Sequence, residues 1–231
     1  MSTRFSSGVT APRLEAAAMD RRTFLSAAGA GLGVLAGGGT LLLGVIPAMA
    51  APQVGQPAPT FAVADANGVM RNLSDMKGKI VVLEWTNADC PFVGKHYNSS
   101  NMQNLQREVT DAGAIWLSII SSAPGEQGHV SSEEANRLTT TRKAAPTAVV
   151  LDAQGSIGRS YQAQTTPHMY IIDANGALRY MGGIDSIAST QVADVTKAQP
   201  HFKEAFQAVR AGQPVKNAVT RPYGCTVKYS A

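Results

Sequence analysis

Glu84-Trp85-Thr86-Asn87-Ala88-Asp89-Cys90-Pro91-Phe92-Val93 is the stretch on which the reading of this chain turns. It follows the apolar run Ile80-Val81-Val82-Leu83, whose lack of alternation predicts a strand covered on both faces. After it, Phe92, Tyr97, Met102 and Leu105 fall near helical spacing. Cys90 therefore stands where a strand gives way to a helix. Pro91 suits the first helical position, where a missing N–H costs nothing. A thiol at this junction faces unpaired backbone N–H groups and the positive end of the helix dipole, and both favour thiolate. The plain alternative is an inert buried cysteine, but those favour apolar interiors over turn–helix junctions. A Cys-x-x-Cys turn would need its second thiol at position 93, which is Val93.

Away from this turn the pattern alternates. Residues 51–61 form a Pro/Gly-rich extended entry, 61–63 a short strand, and Asp65-Ala66-Asn67-Gly68 a turn. The helix after Cys90 is expected to stop at Gly113, with a bend near Gly94 or the Asn98-Ser99-Ser100-Asn101 cluster. Residues 114–120 read as a second central strand. Ser131-x-x-Glu134 is a capping box opening a helix towards Arg142. A strand at 147–151 and a short helix at 157–161 follow. Asp173-Ala174-Asn175-Gly176 then joins strands 169–172 and 177–181 as an antiparallel hairpin. A polar helix from about Thr190 to Arg210, interrupted at Pro200, precedes a tail with no clear periodicity. The order predicts an α/β fold: a mixed central sheet flanked by helices, with a C-terminal extension. Such sheets carry active groups at the carboxyl ends of strands, where Cys90 falls.

Composition narrows the function classes. The chain has 231 residues, 44% of them hydrophobic and 16% charged, which suits one packed domain with extensions. The net charge of +4 includes +2 from residues 1–50, where Arg4, Arg13, Arg21 and Arg22 face only Glu15 and Asp20. No basic run or basic stripe with aromatics occurs, so no nucleic-acid partner is expected. The paired arginines Arg21-Arg22, a Gly/Ala-rich apolar run and Ala48-Met49-Ala50 resemble, in that order, a twin-arginine export signal, with Met19 a candidate start. The expected organisation is a signal over 1–50, a domain over 51–212 and a tail over 213–231 carrying Cys225. The expected location is periplasmic or extracytoplasmic, with membrane contact only if the signal stays uncleaved. Gly31-Leu32-Gly33-Val34-Leu35-Ala36 matches a dinucleotide fingerprint on paper, but no strand precedes it, and no cofactor is expected. In an oxidising compartment the two cysteines, Cys90 and Cys225, are candidates for disulfide chemistry.

Three blocks carry a family resemblance: Cys90-Pro91-Phe92-Val93 at the strand-to-helix turn, Glu84 six residues before Cys90, and Thr165-Thr166-Pro167-His168-Met169-Tyr170-Ile171-Ile172-Asp173. Together they resemble the thioredoxin superfamily. The resemblance implies a buried acid at Glu84 that moves protons for the thiols. It also implies a cis-proline at Pro167, with the Thr166 backbone beside the sulfur and room for an extended substrate. Asn87 through Tyr97, the Thr165–Asp173 block and a late Pro222-Tyr223-Gly224-Cys225-Thr226-Val227-Lys228-Tyr229 bring the chain closer to the peroxiredoxin-like branch, the alkyl hydroperoxide reductase/thiol-specific antioxidant group. That branch implies Cys90 as redox nucleophile towards a peroxide or a protein disulfide, served by a thiol reductant not yet identified.

Two departures weigh against peroxide. Peroxiredoxins place Thr three residues before the nucleophile, where this chain has Asn87, with Thr86 four before. They also place an arginine where this chain has Pro167, and Arg159, Lys95 and His96 are the candidate substitutes. His96 and His168 are candidates to flank the site. Copper-handling relatives use two nearby cysteines with a histidine, and only one cysteine is local here, so no metal is expected. Cys225, 135 positions after Cys90 in a tail expected to be flexible, is the candidate resolving thiol, with a static tail disulfide as the alternative. Thiol–disulfide exchange with other proteins, or a non-catalytic binding scaffold, remain the competing functions.

Overall fold

The computed structural model describes residues 51–230. The candidate signal over 1–50 lies outside the described residues. Two short antiparallel strands, β1 (Ala62–Ala64) and β2 (Met70–Asn72), lead the domain, and a 3-10 turn (Leu73–Met76) delivers the chain to β3 (Val81–Trp85). Every residue of β3 is buried, Glu84 included, as expected of a strand with helices on both faces. Helix α1 (Pro91–Asn98) and helix α2 (Asn101–Asp111) follow, broken at Ser100, whose φ of 62° is left-handed. The expected bend thus falls in the Asn/Ser cluster and not at Gly94, which stays inside α1.

Strand β4 (Ile115–Ile120), helix α3 (Ser132–Thr141), strand β5 (Ala148–Leu151) and helix α4 (Ser156–Ser160) repeat the alternation. One half of the capping box is present: Ser131 Oγ accepts from the Glu134 N–H at 3.2 Å, while the Glu134 carboxylate accepts from Arg137 instead of the Ser131 N–H. Strand β6 (Thr165–Thr166), strand β7 (His168–Ile172) and strand β8 (Leu178–Gly182) come next, with the Asp173–Gly176 turn between the last two. The long polar helix reduces to α5 (His201–Arg210), preceded by a 3-10 turn at Val192–Asp194. The tail ends in strand β9 (Cys225–Thr226). No helix among the described residues is long and apolar enough to cross a membrane.

The main sheet runs β5-β4-β3-β7-β8, parallel from β5 to β3 and antiparallel from β3 to β8. Leu83, Trp85, Leu117, Ile119, Tyr161 and Tyr170 fill one face, and Val82, Met102, Trp116, Met169, Phe202 and Phe206 fill the other. Fully burying one such side chain contributes about 1.5–3 kcal/mol. The register then does the functional work. Trp85, the last residue of β3, pairs with His168, the first of β7. Because the strands are antiparallel, the loop after β3 and the loop before β7 emerge at the same end of the sheet.

Candidate active site

At that end Cys90 occupies the N-cap of α1, with Pro91 at the first helical position. Its N–H donates to the Asn87 carbonyl at 3.2 Å, and its carbonyl accepts the first helical bond from Gly94 at 2.9 Å. The thiol is 1% exposed and donates to the Thr166 carbonyl at 3.1 Å. The Thr166–Pro167 peptide bond is cis. Across β6, Cys225 stands directly opposite Thr166 in the β6–β9 ladder. Both cysteines are free thiols, and they are near enough for each to shift the ionisation of the other. Cys90, Thr166, Pro167 and Cys225 are thus gathered in one place.

The two thiols are electrostatically unequal. Burial works against ionising Cys90, but the polar surroundings supplied by Cys225, the Thr166 side chain and the Val93 N–H outweigh it and hold its pKa below the ordinary thiol value. The Thr166 carbonyl, an acceptor, pulls the other way by favouring the protonated form. Cys225 is pushed up to about 12 by burial first, then by the neighbouring Cys90 and its charge, with Lys228 opposing. Of the two, Cys90 is therefore the more readily ionised.

Glu84 is fully buried and has no hydrogen bond to either sulfur. Its carboxylate accepts from Ser118 Oγ at 2.8 Å, Trp116 Nε1 at 2.9 Å, Tyr97 Oη at 3.1 Å and Gln106 Nε2 at 3.2 Å. Four donors from α1, α2 and β4 satisfy the charge, so burial at this depth does not leave it unpaired.

None of the candidate replacements for the missing arginine is free. Arg159 donates to the Ser230 carbonyl and lies 4.8 Å over the Tyr229 ring. Lys95 donates to Asp185 Oδ2 at 3.1 Å, the Ile187 carbonyl at 2.8 Å and Tyr223 Oη at 3.2 Å. His96 meets Tyr223 Oη at 3.1 Å through Nε2 and Asn101 at 2.9 Å through Nδ1. Tyr223 in turn donates to Asp185. The network assigns the proton of neutral His96 to Nε2, since Nδ1 accepts from the Asn101 amide. Asn87, at the position of the expected threonine, braces the loop instead: its Oδ1 accepts from the Asp89 N–H at 2.8 Å and its Nδ2 donates to the Gln127 carbonyl at 3.3 Å. Thr86 is buried with its hydroxyl unpartnered, on the wall of a cavity of about 40 Å³, so it does not replace that threonine at the sulfur.

The tail differs from the flexible arm the sequence suggests. Asp185 and Tyr223, which sequence reasoning missed as partners, lock it down. The only signal was the recurrence of Lys95-His96-Tyr97 and Pro222-Tyr223-Gly224 beside the two cysteines. Among the described residues no cluster of three or more His, Cys, Asp and Glu is placed to hold a metal.

Two buried histidines set an acid limit on stability. Burial pushes His96 down to about 4, with Asp185 opposing and Lys95 adding to the fall. Burial pushes His168 down to about 3. The unfolded chain takes up both protons near pH 6.5 while the folded one does not. Unfolding therefore binds protons, and stability falls on acidification from there. Each histidine withdraws about 1.4 kcal/mol per pH unit within that window. Urea unfolding is expected to show a lower midpoint at pH 5 than at pH 7; equal midpoints would contradict neutral burial.

Residues 54–181 match the sequence pattern of the AhpC/TSA family. Among solved structures, a hypothetical protein from Sinorhizobium meliloti 1021 is similar at 20% identity and a TM-score of 0.65, over 79% of this chain and 97% of that one. An uncharacterized conserved protein from Geobacillus kaustophilus is similar at 21% identity and a TM-score of 0.65, over 77% of this chain and 93% of that one. At such identities the likeness speaks for the fold alone. No curated protein sequence matches the chain. The matched segment spans more than half of the sequence and carries both Cys90 and the Thr166–Pro167 loop, and on that ground the chain belongs to the AhpC/TSA family.

Proposed function

We propose that Cys90 is the redox nucleophile of this thiol oxidoreductase and that Cys225 resolves its oxidised form. The observation that carries the reading is the pairing of β6 with β9, which sets Cys225 opposite Thr166, whose carbonyl accepts from the Cys90 thiol, and makes the cysteines neighbours that lower the pKa of Cys90 and raise that of Cys225. With a peroxide as oxidant, the Cys90 thiolate attacks the terminal oxygen. The O–O bond breaks, the departing oxygen takes a proton, and Cys90 becomes a sulfenic acid. Cys225 then attacks that sulfur. An S–S bond forms, the S–O bond breaks, and water leaves. With a disulfide as oxidant, the leaving group is the other thiol. An external thiol reductant restores both cysteines.

The pair is self-timed. While Cys90 is a thiolate, its charge helps hold Cys225 protonated. Oxidation of Cys90 removes that charge, leaving burial still opposed by Lys228, so Cys225 ionises more readily than before at the moment a second nucleophile is needed. Thr166 and Pro167 shape the wall opposite the sulfur. Glu84 acts as a positioning residue that ties α1 and α2 to the sheet. A proton-relay role for Glu84 would show instead as an altered pH profile of oxidation in Glu84→Gln at unchanged stability.

Export by a twin-arginine signal to an extracytoplasmic compartment belongs to the same proposal. It is supported by Arg21-Arg22, the apolar run and Ala48-Met49-Ala50, and by a cysteine pair suited to an oxidising location.

Thiolate absorbance tests the pairing. Cys225→Ala removes the polar neighbour, so the pKa of Cys90 is expected to rise, while Cys225→Ser keeps a polar hydrogen-bonding group there and leaves it lower. Identical Cys90 titrations in the two variants would sink the proposal that Cys225 activates Cys90.

A further inference from the structure

An extended polypeptide can dock by pairing its main chain along a free strand edge, and here the edge at Thr165–Thr166 is already paired. Thr165 faces Thr226, Thr166 faces Cys225, and the Val227 N–H donates to the Gln164 carbonyl at 3.0 Å. The occupant is the chain's own tail, clamped on both sides of Cys225. Upstream, the Met181 N–H donates to the Ala218 carbonyl at 3.0 Å, and Thr220 bonds Tyr180 Oη at 2.7 Å and the Gly183 N–H at 3.0 Å. Tyr223 then plants its hydroxyl among Lys95, His96 and Asp185, with its ring edge-on to Phe92 at 5.9 Å between centroids. Downstream, Tyr229 Oη donates to the Ala163 carbonyl at 2.8 Å.

The surface beneath is shaped for this strap. A Cβ on Gly158 would fall 2.4 Å from Tyr229 Oη. A Cβ on Gly182 would fall 2.2 Å from Thr220 Oγ1. Gly224, with φ of 141°, passes so close to Thr166 that a Cβ would fall 1.9 Å from its carbonyl oxygen. Glycine at 224 is what lets the strap lie flat on the loop facing Cys90.

We infer that the strap of residues 218–229 is a tethered substrate strand that sets the selectivity of the site: Cys90 reacts with small oxidants and excludes disulfides carried on an extended polypeptide. The inference rests on Cys90 being the nucleophile and deepens that reading. A polypeptide would have to displace a three-residue ladder and two tyrosine anchors before its sulfur reached one that is 1% exposed. A small peroxide or a low-molecular-weight disulfide needs no backbone pairing. The same seating presents Cys225 to Cys90 as a bound substrate cysteine would be presented, so the intramolecular disulfide closes with β9 in place.

The test uses two thionitrobenzoate mixed disulfides, one with cysteamine and one with an extended cysteine-containing peptide. They share a leaving group, and attack by Cys90 on the cysteine or cysteamine sulfur releases it as the chromophore. In the Cys225→Ser protein, which keeps the strap, the cysteamine probe is expected to react at least about tenfold faster than the peptide probe. Adding Tyr223→Phe and Tyr229→Ala is expected to bring that ratio toward unity through a gain in the peptide arm relative to the cysteamine arm. Hydrogen exchange in the loosened protein should then be fast at the Val227 amide and slow in β3 and β4. Equal rates for the two probes in the strapped protein would overturn the inference, as would an unchanged ratio once the strap is loose. Release no faster than from Cys90→Ser/Cys225→Ser with either probe would overturn the assignment of Cys90 itself, and the strap's role with it.

Discussion

Cys90→Ser is expected to lower the rate of oxidation by peroxide or small disulfide at least about a thousandfold, because the hydroxyl is not ionised at neutral pH and cannot carry the covalent step. The fold should survive, since serine is a good N-cap and α1 keeps Pro91 at its first turn. Cys225→Ser is expected to behave differently. Its Cys90 should still react once, then accumulate as sulfenic acid and proceed to sulfinic acid under excess peroxide, because no resolving thiol remains. Single-turnover stopped flow with mass spectrometry separates the two. Equal loss of the first turnover in both variants would mean that the thiols act as one unit and not in sequence.

The second large effect is structural. Lys95→Ala is expected to cost about 3–5 kcal/mol, the penalty for removing one partner of a buried ion pair. Lys95 is 1% exposed and Asp185 is 5% exposed, so solvent does not screen the loss. Asp185 would keep bonds from the Tyr223 hydroxyl and the Ile187 N–H, but with no compensating charge. For a domain of this size that corresponds to a fall in Tm of roughly 10 °C. Because Tyr223 is held by the same cluster, the Val227 amide should also exchange faster. A thermal melt within about 1 kcal/mol of the parent would show that the pair contributes little.

The sheet was legible because its signals are local. The unbroken run before Glu84 marked a strand buried on both faces, and Asn175-Gly176 marked the hairpin that sets β7 beside β8. Cys90 at the N-cap followed from Pro91 and the change of period. That Thr166 and Pro167 lie beside Cys90 was suggested by resemblance; the physical reason is the antiparallel pairing of β3 with β7, which no local pattern announces. The tail was read as flexible because its order comes from single long-range anchors. Tyr223 hydrogen-bonds to Lys95, 128 positions away, and Thr220 to Tyr180, 40 positions away. Such contacts leave no periodicity. Asp185 was invisible for the same reason: it sits in a loop after Gly182-Gly183-Ile184 and matters only because Lys95 is buried opposite. The pair β1–β2 was half seen, since three exposed or half-buried residues around Arg71 carry little alternation.

The most direct measurement is the covalent state of the two cysteines after one equivalent of hydrogen peroxide is added to the reduced protein. The account predicts a single intramolecular disulfide joining the Cys90 and Cys225 peptides, formed at low protein concentration and reversed by dithiol. Cys90 advancing to sulfinic acid while Cys225 stays a free thiol would contradict it.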